Sequence, residues 1–151
     1  MLDQLEEIGI APLLKYNMIN FSSRTVESGW HTYAQMPAVK RAMFDYQGSF
    51  TYLDPRALER LRKGRTDSFL CFLLTDGGFN ANANADAVLA EIDMMQKTGS
   101  IGIHAFNLGG SDCYFWRGFR NLGLKDQPVR NAQDFLDKAI KFTKEFYSEI
   151  E

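Results

Sequence analysis

An aspartate followed by two glycines, Asp76-Gly77-Gly78, closes an apolar run that begins at Phe69. A carboxylate at a strand end is a hard oxygen ligand for a cation, and the glycines let the backbone turn tightly and a partner approach. The same residues also serve as a plain turn or helix cap, the commoner use of such an aspartate. A second oxygen is offered by Thr51, in the small-residue loop Gly48-Ser49-Phe50-Thr51 that precedes Asp54-Pro55. Its hydroxyl equally suits a bond to local backbone. Asn80, Asn82 and Asn84 follow the aspartate, either lining a ligand face or, as asparagines more often do, forming a loop and capping the next helix.

Other chemistry has weaker support. His31 and His104 are the only histidines; His104 falls within an apolar run and reads as a hydrogen-bonded structural residue. Cys71 lies mid-run, so no Cys/His nucleophilic pair forms convincingly. Gly109-Gly110 lacks the spaced glycines and following lysine of a phosphate-binding loop. Trp116 and Phe119 form either an exposed contact patch or, more simply, a short amphipathic helix covering the core.

These residues need a scaffold. Three β-favouring runs end in small or polar residues, as strands do at the carboxyl edge of a parallel sheet. They are Tyr16 to Phe21, ending in Ser22-Ser23; Phe69 to Leu74, ending in Thr75-Asp76-Gly77-Gly78; and Ile101 to Phe106, ending in Asn107-Leu108-Gly109-Gly110. Parallel strands require crossovers, and helical patterns separate these runs. One helix starts at Asp54-Pro55, where the aspartate caps free amides and the proline loses nothing by lacking its own. Another is predicted from Asp86 to Lys97, and a last one from Asn131 onward with Phe135, Leu136, Ala139, Ile140, Phe142, Phe146 and Tyr147 on one broad face. Residues 25–47 follow no sustained period and read as an irregular strand or turn, then a short helix around Ala38 to Phe44. The expected fold is a single α/β domain with a doubly wound, mostly parallel sheet flanked by helices.

Composition limits the partners. With 17 basic and 19 acidic residues the net charge is -2, and no Lys/Arg stripe is dense enough to follow a phosphate backbone. The densest basic stretch, Arg60, Arg62, Lys63 and Arg65, ends a predicted helix, where cations complement unpaired carbonyls. Nucleic acid is not an expected partner. Two cysteines make no disulfide framework. The start, Met1-Leu2-Asp3-Gln4-Leu5-Glu6-Glu7, is acidic where a secretory signal is basic, and no run nears the ~18 apolar residues of a membrane span. A soluble cytoplasmic protein is expected.

In their order, four segments resemble a von Willebrand factor A-type domain over about Tyr16 to Tyr147. Met18-Ile19-Asn20-Phe21-Ser22-Ser23 looks like that family's strand ending in Phe-Ser, and Gly48 to Leu53 like its glycine-threonine loop before a helix. Phe69 to Gly77 looks like its apolar strand closing in Thr-Asp-Gly, and Ile101 to Gly109 like its next strand. The resemblance implies a Rossmann-like fold and a divalent cation, usually Mg²⁺ and alternatively Mn²⁺ or Ca²⁺, at a metal-ion-dependent adhesion site. It maps a threonine ligand onto Thr51 and an aspartate ligand onto Asp76, with Ser22, Ser23, Ser49, Gly77, Gly78 and Asn80 on the ligand-face loops. The family's opening motif, Asp-x-Ser-x-Ser at the end of a central strand, is absent. Met1 to Lys15 reads instead like the helix after that strand, so a fragment lacking its first strand is expected, with weak metal binding at most.

By the same resemblance the function is metal-dependent protein recognition at the carboxyl edge of the sheet, with no catalytic residue. The partner implied is a protein, such as a ring-forming ATPase or a subunit of an assembly complex. Two alternatives are a doubly wound metal-dependent hydrolase using Asp76, and a metal-free structural module.

Overall fold

The computed structural model describes residues 15–17, 19–21, 25–38, 52–64, 68–108 and 112–150. The described residues open with four short strands: β1 (Lys15–Tyr16), β2 (Ile19–Phe21), β3 (Thr25–Glu27) and β4 (His31–Thr32). β1 pairs antiparallel with β4, and β2 pairs antiparallel with β3 through Ile19 opposite Glu27 and Phe21 opposite Thr25. The expectation of one parallel strand from Tyr16 to Phe21 is therefore corrected. The three residues 22–24 joining β2 to β3 are too few for a parallel crossover, which takes a dozen or more residues. Between β1 and β2 the run is interrupted at Asn17, whose Oδ1 accepts a bond from Ser28 Oγ at 3.3 Å. A 3-10 turn at Tyr33–Gln35 leads into helical residues 36–38. The rest of the helix predicted to Phe44 lies outside the described residues.

Helix α1 (Pro55–Gly64) begins as its sequence directs. Asp54 Oδ1 accepts the Arg56 amide at 3.0 Å, and Pro55 opens the first turn. Three of its basic residues meet carboxylates: Arg60 bonds Glu27, Lys63 bonds Glu59, and Arg62 reaches Glu91 at 3.3 Å. Strand β5 (Phe69–Thr75) then leads to α2 (Asn82–Gln96), and β6 (Ile101–Leu108) to α3 (Tyr114–Asn121). Strand β7 (Gln127–Val129) and α4 (Ala132–Ile150) complete the described chain.

Strands β5, β6 and β7 form a parallel sheet in that order, with Phe69 opposite Ile101, Thr75 opposite Asn107 and Phe106 opposite Gln127. Strand β7 has no counterpart in the sequence reading, because three residues with a central proline show no period; proline is tolerated on an edge strand, where its missing amide breaks no ladder. Helix α2 starts four residues before the predicted Asp86. Its cap position holds Ala81, without a side-chain bond. Asn84 does not cap: its amide grips the backbone of Leu53 from both sides, accepting from N at 3.2 Å and donating to O at 2.7 Å.

Helices cover both sheet faces. On one, Phe69 and Leu73 of β5 with Ile101 and Ala105 of β6 pack on Val88, Leu89 and Ile92 of α2 and on Phe115, Trp116 and Phe119 of α3. Phe115, Trp116 and Phe119 are at most 1% exposed, while Tyr114 at the start of α3 stays at the surface, so this helix is the predicted core cover; burying a phenylalanine side chain fully is worth about 1.5–3 kcal/mol. On the other face Phe106, Val129 and Ala139 cluster with Phe72, Phe135 and Phe142. An apolar-throughout β5 is thus used on both sides, as such a strand requires. His104 differs from its expected hydrogen-bonded role: its ring stacks on Phe142, with centroids 3.8 Å apart and planes 11° from parallel. Burial holds its imidazole below the usual histidine range, against a smaller opposing pull from Glu145. Among the described residues no helix is long and apolar enough to cross a membrane.

Candidate functional site

Strand β5 delivers Asp76 to the carboxyl edge of the sheet, where loops diverge in open α/β folds and ligands bind. Side chains alternate along a strand, so Thr75 turns inward and is 5% exposed while Asp76 faces out. Each then stabilises the turn with its own side chain. Thr75 Oγ1 accepts the Gly77 amide at 3.0 Å, and Asp76 Oδ1 accepts the Gly78 amide at 2.9 Å. The Gly77 carbonyl in turn accepts the Phe79 amide at 2.9 Å.

The inner side of the turn is held by α3 and by Cys113 just before it, some 40 residues later. Trp116 Nε1 donates to the Asp76 carbonyl at 3.1 Å, and Cys113 Sγ donates to the Gly77 carbonyl at 3.4 Å. Gly77 has φ +84°, and a Cβ there falls 2.6 Å from Trp116 Nε1 and 2.7 Å from Cys113 Sγ. Only glycine fits, for conformation and for space together. Gly78 and Asn80 are both exposed beside the aspartate.

The segment that follows Thr51 is tied to the same region. Leu53, two positions on, is clamped by Asn84 in the first turn of α2, the helix that the Asp76 turn feeds. Thr25 Oγ1 donates to the Tyr52 carbonyl at 3.1 Å and accepts the Asp54 amide at 2.8 Å. Thr51 itself, like Ser22, Ser23 and Ser49, lies outside the described residues.

Beside the turn a polar network centred on two buried residues, Asn107 and Asp126, joins the end of β6 to α3. Asn107, 1% exposed and in register with Thr75, donates through Nδ2 to Asp126 Oδ2 at 3.1 Å. Arg120 of α3 binds Asp126 through Nε at 2.9 Å and Nη2 at 3.3 Å, and its Nη1 reaches Asp112 at 2.7 Å. Burial pushes the Asp126 carboxyl up, but the bonds from Arg120 and Asn107 outweigh it and hold the group below its ordinary value. Tyr114 hydroxyl bonds Asp86 Oδ1 at 2.7 Å, so α3 is fastened to α2 as well as to the sheet. Cys71 keeps some accessible surface, yet its thiol is enclosed by protein, and burial pushes its pKa up to about 11.

Sequence reasoning placed Trp116 in the core but missed its bond to the Asp76 carbonyl, and it missed the Asn107, Asp126 and Arg120 network altogether. Neither has a local signal, since the partners in each are separated by 40 and up to 19 positions.

Magnesium prefers oxygen ligands and is commonly held by one or two carboxylates, keeping several waters. Asp76 offers one such carboxylate. Among the described residues no group of three or more His, Cys, Asp or Glu stands together for a metal.

No protein-family model matches this chain, and neither a curated protein nor a solved structure is similar to it. The resemblance to von Willebrand factor A-type domains therefore rests on the motifs quoted above.

Proposed function

We propose that this chain is a cytoplasmic protein-interaction module of the von Willebrand factor A type, which meets an acidic group on a protein partner through a cation held at Asp76. The observation that carries this reading is the placement of Asp76: an outward-facing carboxylate at the carboxyl end of a parallel strand, on a turn whose inner side is pinned by Trp116 and Cys113. A rigid carboxylate loses little freedom on binding, which favours affinity. The clamp of Asn84 on Leu53 supports Thr51 as the second oxygen, because it ties the chain two positions beyond Thr51 to the helix that follows Asp76.

Mg²⁺ is the cation of choice, with Mn²⁺ or Ca²⁺ as substitutes; Thr51, water and a partner carboxylate complete its shell. A subunit of a ring-forming ATPase assembly is the partner the resemblance implies. The test is a Mg²⁺ titration followed by the Gly77 and Gly78 amide NMR resonances. Both shift saturably in the unmodified chain and neither shifts in Asp76→Ala. Equal shifts in the two proteins overturn the proposal, and turnover of phosphate or ester substrates lost in Asp76→Asn selects a hydrolase instead.

A further inference from the structure

We draw no further inference here: the strongest candidate, the apolar edge of β5 that faces away from β6, with no charge or proline to blunt it, carries nothing because nothing in the structure shows what covers it.

Discussion

Alanine at position 77 is the most demanding perturbation of the proposed site, and neighbouring glycines separate its causes. Gly77 and Gly123 share φ +84°, but a Cβ at Gly123 meets nothing within 4 Å, whereas at Gly77 it meets Trp116 Nε1 at 2.6 Å, Trp116 Cδ1 at 2.7 Å and Cys113 Sγ at 2.7 Å. Gly123→Ala therefore isolates the left-handed backbone cost, about 1–2 kcal/mol. Gly77→Ala adds overpacking against a fully buried ring, about 1–3 kcal/mol, because Trp116 has no exposed side toward which to yield. The two together come to about 2–5 kcal/mol, and displacing the indole from the Asp76 carbonyl brings the expected value to the upper half of that range. Gly78→Ala has neither cause: its closest contact is Asp76 Oδ1 at 3.2 Å, on an exposed side chain, so its expected effect is within about 0.5 kcal/mol of zero. Urea unfolding of the three variants measures these values as shifts in midpoint at constant slope. A Gly77→Ala cost no larger than that of Gly123→Ala refutes the claim that α3 closes against the turn.

Three further outcomes follow from the buried groups. Asp126→Asn is expected to cost about 1.5–3 kcal/mol at pH 7, since it weakens two charge-assisted bonds to Arg120 at a nearly buried carboxylate. The folded form of Asp126 titrates below its unfolded value, so the stabilisation is complete above about pH 4 and is lost as pH falls through the lower folded pKa; the gap between wild type and variant, followed by urea unfolding, should close in that acid window. His104 is also lowered, but as a base: its unfolded form takes up the proton first, so stability falls as pH drops below about 6.5, and His104→Phe should flatten that slope between pH 7.5 and 5.5. With its thiol pushed up to about 11, Cys71 is on the order of 0.1% thiolate at pH 8, so iodoacetamide should label Cys113 well before Cys71 in the native chain, and both at similar rates in urea. Equal native labelling, read by mass spectrometry, counts against the enclosed thiol.

Much of the scaffold was legible because local chemistry decided it. Asp54-Pro55 marks a helix start that needs no distant partner, and the unbroken apolar run at Phe69 is a strand of the kind that a sheet covered on both faces takes, with the β-favouring run at Ile101 beside it. The same local reading failed for Tyr16 to Phe21, where pairing is set by the three-residue connection to Thr25 and not by the apolar pattern. It failed again at Gln127–Val129, a strand made by the open edge of β6 and not by its own residues. Asn84 was read as a capping residue by type; its position against Leu53 turned it into a clamp.

The sequence by itself determined that Asp76 ends a buried strand and is followed by residues able to turn, because period, apolarity and glycine are properties of neighbours in the chain. Only the tertiary structure decided that this turn is rigid. Its stiffness comes from an indole of α3 and the thiol of Cys113, the residue that precedes that helix, 36 to 40 residues away, and from Asn107, Asp126 and Arg120 pinning that helix to the sheet. Hydrogen bonds between groups so far apart leave no periodic trace in the chain, since each depends on the packing that brings β5, β6 and α3 together.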